Sequence, residues 1–467
     1  METYIEQLAS RFRNVVLNAV GVERDFFKLI ADKDIDKAAA MMQDRHEDVD
    51  IAIKEYNPQT HEVMNRRDKK RKNEPDYKVE KLPRSRQRYI NEIELFFLLG
   101  ANLKYKKKDG DDNAYDIFLR FIKDNRMDSL NRKFKRLAGA ETEAAIVFHL
   151  YNEGGEIHVK PFIAARSTGY DIRPLFDQYG NLLAFAYGYS VKGSNGKTVR
   201  HWDILTPEFN FYCEQNGTGG WSVDRRENTT NKINAIYAQQ EKAWNGVENR
   251  IHREEMMDSK TGDTNNYFAD PIAFASADVV KMMGQDTVGR LIQYTGKDSQ
   301  FGYVNPPQSS ETRRDEKIDL ATSILFDSFT PDFSYDSIKG LGSLSGEALE
   351  NAMILGFIKR ANRMEIYGEL FDREVSVILG VLKVLHPELA SAFDKLVIEV
   401  EFQSPFTKHN TALWASIGNL YQSGVCSLET AVTLLSITEA PEEEIARIKQ
   451  AKEESAQLAA MAKGTEQ

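Results

Sequence analysis

The sequence predicts an α+β chain. Residues 139–225 read as short strands punctuated by turn residues, and amphipathic helical patterns flank them on both sides. A run from Ser345 to Leu385 also keeps helical spacing for about forty residues.

Composition sets the outer bounds. At 467 residues the chain exceeds one ordinary domain and calls for several substructures. Hydrophobic residues make up 41% and charged residues 28%, and no apolar run approaches the roughly eighteen residues of a membrane span, so no membrane partner is expected. Met1-Glu2-Thr3-Tyr4 leads into a mixed segment without a signal-peptide pattern, which predicts a cytoplasmic site of synthesis. Cys213 and Cys426 are isolated and lack ligand-like neighbours, so free thiols are expected, with no metal and no cofactor. A net charge of −10 opposes tight, sequence-independent DNA binding over a large surface. It does not exclude DNA contact.

Residues 1–80 read as a helical, charged N-terminal segment. Asp34 stands where it can cap a helix carrying Ala38, Ala39 and Ala40. Arg66-Arg67-Asp68-Lys69-Lys70-Arg71-Lys72 is a basic run, read first as a solvated face and second as a contact with nucleic acid or an acidic neighbour. From Pro83 to Gly100 the apolar spacing predicts an amphipathic helix ending in a glycine cap, followed by a strand start at Asn102-Leu103-Lys104-Tyr105. A second helix is expected from about Tyr115 to Ala138, turning Phe118, Phe121, Ile122 and Phe134 toward a core.

The strands come next. Ala144–Tyr151 and Ile157–Ile163 flank Asn152-Glu153-Gly154-Gly155 as a hairpin, and Gly180–Tyr189 and Thr198–Trp202 continue an antiparallel sheet. Lys232–Glu241 is one more strand, and Trp244 to about Met257 is a helix that Asp263–Pro271 should break. A small mixed α/β region follows, with short strands near Val279-Val280-Lys281-Met282 and Phe301-Gly302-Tyr303-Val304. A helix over Arg313–Phe329 closes it, so two helices carry a small α/β tip.

Between Pro331 and Leu344 the glycines, serines, Asp332 and Asp336 resist regular structure. Ser345 can then cap the long helix, with Glu347 in its first turn. Lys359, Arg360, Arg363 and Glu365 exclude a membrane span, and Gly356, Gly368 and Gly380 each cost about 1 kcal/mol against Ala. Packing, within or between subunits, must therefore hold this helix. His386-Pro387 ends it, Leu396–Phe402 alternates as a strand, and residues 405–460 read as three helices started by Thr407, Ser427 and Pro441. No ordered structure is expected after Ala459.

Motifs for catalysis are lacking. Gly196-Lys197-Thr198 imitates the end of a phosphate-binding loop, but Val191 stands where that motif needs a glycine, and alternating strands flank it. It reads as a hairpin turn. His149, His158, His201, His252, His386 and His409 have no metal-ligand spacing, and no nucleophile elbow or dinucleotide loop is present. The residues give no positive sign of an enzyme.

One family brings these parts together in this order. The residues are Leu82-Pro83 with Gln87-Arg88-Tyr89-Ile90 and Phe96-Phe97-Leu98-Leu99-Gly100, then Ile233-Asn234-Ala235-Ile236-Tyr237 leading to Trp244, then Asp263 with Asn265-Asn266-Tyr267-Phe268. Leu344-Ser345-Gly346-Glu347-Ala348-Leu349 is similar to a Ser-Gly-x-Ala-Leu signature opening a long helix, and Ser423–Ala431 resembles a C-terminal helical segment. The chain thus resembles the portal proteins of tailed bacteriophages, in their compact-subunit branch, from about residue 80 onward.

The resemblance implies a portal-like subunit that forms a homo-oligomeric ring, a dodecamer, at the capsid vertex of the virion. Residues 81–230 would be a mixed α/β wing, 231–263 a strand and stem helix, and 264–312 a clip. Residues 313–329 would be the second stem helix, 330–344 a tunnel loop, 345–404 the long wing helix and strand, and 405–467 a helical crown and tail. Double-stranded DNA would pass the loop at Ser337, Lys339, Gly340, Gly342 and Ser343, while Ser345, Gly346, Ala348 and Leu349 start the long helix. Implied partners are the terminase large subunit, a head-tail adaptor, and the major capsid and scaffolding proteins. Two other readings stand beside it: a different ring or scaffold using the long helix as a spine, and a nucleic-acid-processing enzyme binding Mg²⁺ through Asp332 and Asp336.

Overall fold

The computed structural model describes residues 25–70, 76–192, 196–217, 219–269, 273–275, 278–282, 292–295, 301–303, 310–334, 339, 353–406, 411–435 and 441–464. It divides into two units, residues 1–334 with 353–405, and residues 335–352 with 406–467.

In the first unit, residues 25–31 and α1 (Ile35–Met41) are helical, followed by α2 (His46–Tyr56) and α3 (Arg86–Leu99). Then come β1 (Lys104–Asp109), α4 (Asp112–Asp124), α5 (Met127–Glu141), β2 (Glu143–Glu153) and β3 (Glu156–Ala164). A meander of β4 (Asp171–Phe176), β5 (Leu182–Lys192), β6 (Thr198–Leu205), β7 (Phe209–Gln215) and β8 (Trp221–Glu227) forms a five-stranded antiparallel sheet in chain order. β9 (Ala235–Gln239) joins the β2–β3 hairpin, giving the order β3-β2-β9.

β2 shows how layers arise from alternation. Ala144, Ile146 and Phe148 enter one core with α3, α5 and the long helix, while Ala145 and Val147 enter another against the five-stranded sheet. Side chains on a strand alternate between faces, so β2 is apolar on both and sits between layers. The far face of the five-stranded sheet (Leu175, Ala186, Trp202, Ile204, Phe211) is covered by Phe26, Ile30, Ile35 and Ala38 of the N-terminal helices. Helix, sheet, sheet and helix stack in that order.

The remaining elements of this unit are α6 (Glu248–Ala269), β10 (Ala273–Ala275), β11 (Asp278–Met282), β12 (Ile292–Thr295), β13 (Phe301–Tyr303), α7 (Ser310–Asp327), α8 (Ile354–Leu385), α9 (Ala390–Lys395) and β14 (Val397–Glu401). β10 pairs with β13 and β11 with β12, two nested antiparallel pairs between α6 and α7. β14 pairs with β1, where Lys106 and Lys108 meet Glu401 and Glu399.

In the second unit, α10 (Thr411–Gln422), α11 (Leu428–Leu435) and α12 (Pro441–Gly464) follow one another. Ser427 caps α11, its Oγ accepting from the Thr430 N–H at 3.1 Å. Helix continues to Gly464, past the Ala459 limit expected from sequence.

Several expectations are corrected. The helix expected over Tyr115–Ala138 is two, because Arg126 adopts φ 50° between α4 and α5 and turns the chain. The helix expected from Trp244 begins only at Glu248, and Asp263 does not break it. Residues 263–268 stay helical because Asp263 is engaged by Arg66 and by the Glu80 N–H. Asp34 gives α1 no side-chain cap; its carboxylate takes Lys37 at 2.6 Å instead. In the described residues the long helix runs from Ile354 to Leu385, 32 residues with Met353 as its N-cap, and the expected start at Ser345 lies outside the described residues. Its end at His386 is as the following proline dictates.

Candidate functional site

The loop expected at 331–344 is described only at Pro331–Ser334 and Lys339. Ser337, Gly340, Gly342 and Ser343 lie outside the described residues, as do Ser345, Gly346, Ala348 and Leu349 at the expected helix start. Lys339 is exposed. What the structure does define is how the chain is held on either side of this segment, and α3 holds both.

On the approach, α7 ends at Asp327, and Phe329 takes φ 50° to turn the chain. The Tyr89 hydroxyl of α3 donates to the Pro331 carbonyl (2.9 Å) and accepts from the Phe333 N–H (2.7 Å). Burial raises the pKa of this phenol, so it stays protonated and keeps its donor. Phe333 then packs against Phe96 and Phe97, with ring centroids 6.4 and 6.5 Å apart. On the exit, Phe97 meets Phe357 of α8 edge to face at 5.4 Å, and Gly356 lies so close to the Phe97 ring that a Cβ would overlap it. Glycine here secures a close approach that no other residue permits.

Beneath these contacts lies a buried charge centre. Glu94 of α3 accepts from Lys135 of α5 and pairs with Lys359 (3.4 Å) and Arg363 (3.1 Å) of α8. Burial alone would raise the Glu94 pKa, but the three cations outweigh it and hold the carboxyl well below its usual range. Burial pulls the Lys359 ammonium down to about 8, against the opposing pull of Glu94. Lys359 Nζ also donates to the carbonyls of Ser328 (3.0 Å) and Ala243 (2.9 Å), tying α8 to the end of α7. Removing the Tyr89 hydroxyl should loosen only the approach: Tyr89→Phe leaves the fold intact, and backbone amide exchange at Phe333 rises by roughly fivefold, as loss of about 1 kcal/mol of hydrogen bonding requires.

The pair of helices leading away from the loop is tied by charge. Arg253 meets Glu316 (2.7 Å), Lys317 meets Asp258 (2.8 Å) and Arg250 meets Asp327 across α6 and α7. The other face of α6 carries an extended segment, residues 80–86, running antiparallel to it. The N–H groups of Glu80, Leu82 and Arg84 donate in turn to Asp263 (2.7 Å), Ser259 (2.9 Å) and Glu255 (2.7 Å). The spacing explains the fit: four residues of helix rise about 6 Å and two residues of extended chain span about 6.6 Å. Arg84 adds Asp258, Arg86 adds Glu254, and His61 adds Glu255 at 2.6 Å.

The sequence reading missed His61, whose only signal is a distant carboxylate on α6. The basic run also resolves differently from a solvated face at its first residue: Arg66 is largely buried against Asp263 and the Glu80 carbonyl. Lys69 lies over the Tyr77 ring. Gly196 is at a positive φ between the paired strands β5 and β6, a hairpin connection. Cys213 and Cys426 are free thiols. Asp332 accepts from the Ser334 N–H (2.8 Å) and hydroxyl, Asp336 lies outside the described residues, and no cluster able to hold a metal is present among the described residues.

Three solved structures are similar at low identity: "Neck of native GTA particle computed with C12 symmetry" (11% identity, TM-score 0.38, covering 76% of this chain and 89% of that one), "Neck of empty GTA particle computed with C6 symmetry" (11%, 0.39, 75% and 89%) and "Virion of native gene transfer agent (GTA) particle" (12%, 0.38, 74% and 88%). No curated protein matches. Family membership rests on the family model "Phage portal protein, SPP1 Gp6-like", which matches residues 36–458 and so spans the two larger sheets, the paired helices, the long helix and the C-terminal helices. The chain belongs to this phage portal protein family.

Proposed function

We propose that this chain forms a ring, a dodecamer, at the capsid vertex, through which double-stranded DNA is packaged, retained and ejected. In this reading the ring assembles in the host cytoplasm with scaffolding and major capsid proteins. Residues 264–312 meet the terminase large subunit and later the head-tail adaptor, and residues 330–344 line the channel. The family match over residues 36–458 carries the reading. The chain has no catalytic step in it.

Two features support this reading. Ile318 and Phe326 of α7, Phe329 beyond it, and Ile354 and Ile358 of α8 are exposed apolar residues on the elements flanking the loop. Burying such side chains against a second copy stabilises association by about 25 cal/mol per Å². The net charge of −10 keeps DNA from adhering as it moves.

The test is native mass with electron microscopy of the purified protein. A closed ring with a channel wide enough for duplex DNA supports the proposal; a filament or a channel-free assembly rejects it. Phe326→Asp should leave the subunit folded and abolish the ring, since Phe326 is 63% exposed in the subunit. Lys339→Ala tests the loop. With the only cation of residues 331–344 gone, DNA retention in packaged particles should fall, and unchanged packaging and retention would remove Lys339 from that role.

A further inference from the structure

The charge centre under the loop is unbalanced. One carboxylate, Glu94, faces Lys135, Lys359 and Arg363, all largely shielded from water. The two ammonium groups have other help. Lys359 donates to two carbonyls, and Lys135 sits 5.3 Å from the centroid of the Tyr367 ring. Arg363 cannot shed its proton, and a shielded cation without a full share of negative charge is costly. It is also the outermost of the three: it forms part of the wall of an open cleft of about 730 Å³, bounded by α2, the α5–β2 junction, the end of β9 and α8.

A second, independent observation lies in the same cleft. Thr142, between α5 and β2, adopts φ 69° and ψ −12°. This left-handed position after a helix is where glycine is usual, and a β-branched residue there is strained by about 1–2 kcal/mol. The carbonyl of Thr142 is engaged, accepting from Arg45 Nη1 (3.2 Å) and the Gln240 N–H (2.9 Å). Its side chain is not: Thr142 is 5% exposed, and its hydroxyl has no hydrogen-bond partner. A glycine would satisfy the backbone without strain, so the hydroxyl is what the strained position retains.

We propose that this cleft binds a carboxylate, held by the Arg363 guanidinium and the Thr142 hydroxyl. Other charges around it are already matched. Arg45 lies 3.9 Å from both Glu143 and Asp48, and Lys242 pairs with Glu55 and Glu248. Asp48 and Glu241 are exposed. Guanidinium and hydroxyl together suit any oxyanion. Ile51 and Ile366 line the same cleft, and an apolar wall favours a carboxylate carried on methylenes over a fully hydrated phosphate. The natural bearer is an acidic side chain presented by a protein segment. Its arrival supplies the charge centre with its second anion, and through Lys359 braces the end of α7. The site stands on this chain alone, whether or not the chain forms a ring.

The experiment titrates the full chain with glutarate and, separately, with inorganic phosphate, following heat of binding and thermal unfolding. Saturable binding of glutarate, tighter than phosphate, is expected. Thr142→Ser should keep it and Thr142→Val should weaken it by about tenfold, the loss of one charge-assisted hydrogen bond. Thr142→Gly separates binding from folding: it should raise the unfolding temperature, since the strain is gone, and still lose glutarate. Equal glutarate binding by Thr142→Val and Thr142→Ser, tighter binding of phosphate, or no saturable binding by the natural chain would each overturn the assignment.

Discussion

Glu94→Ala is expected to cost about 3–5 kcal/mol of stability, the loss typical when one partner of a buried ion pair is removed and the others remain. The reason is arithmetic of charge rather than of contacts. The variant leaves Lys135, Lys359 and Arg363 facing one another with no carboxylate among them. Lys135 and Lys359 can deprotonate, and Arg363 cannot. The loss should therefore be smaller at pH 9 than at pH 6, because neutral lysines tolerate the vacancy. Urea unfolding of the full chain at the two pH values measures both effects. A loss below 1 kcal/mol at pH 6 would mean that water already solvates this centre.

Glu374→Gln should do the reverse and stabilise. Glu374 lies in mid-α8, 1% exposed, with its Oε1 accepting from Asn131 Nδ2 at 3.1 Å. Burial pushes its carboxyl up to about 8, the Asn131 bond opposes this, and Asp128 adds to it. In the folded chain the group therefore holds its proton at neutral pH, while in the unfolded chain it titrates near the ordinary value of 4.5. A raised folded pKa contributes stability that is complete below the unfolded value and is lost as pH rises through the folded one. The natural chain should lose stability between about pH 4.5 and 8 on this account, by on the order of 2 kcal/mol or more. Glutamine keeps the shape and the acceptor and has no proton to lose. The variant should match the natural chain near pH 4.5, exceed it at pH 8, and show a flatter profile between. Parallel profiles for the two chains would show that Glu374 is not the group responsible.

Neither centre was visible in the sequence, and the reason is physical. Periodicity reports which face of a helix is apolar, and it located α3, α8 and the β2–β3 hairpin because Leu95, Leu98, Ile378 and Ile146 recur at the right spacing. A buried charge breaks that pattern and looks like any surface glutamate. Glu94 and Lys135 are 41 positions apart, and Asn131 and Glu374 are 243 apart, so no local window contains a pair. The same limit explains α6. Asp263-Thr264-Asn265-Asn266 is a turn by composition, and only the distant Arg66 and Glu80 make it helical. Turn chemistry confined to neighbours was legible at Gly154-Gly155 and at Ser427, but not at Asp34, whose carboxylate takes Lys37 instead of capping α1. The order of parts carried the resemblance to portal proteins, and the family match spans that same order.

The antiparallel strap on α6 also limits how this chain can change in length. Its three amides meet acceptors at 255, 259 and 263, all on one stripe of the helix. Inserting one residue between 255 and 263 would swing the later acceptors about 100° around the axis, away from the strap. Both the strap and the charged seam with α7 would then lose register together. The strap contacts run along the helix from Glu254 to Asn266, so length variation among relatives should fall toward the β10–β13 tip and be absent from the stretch between Glu254 and Asp263.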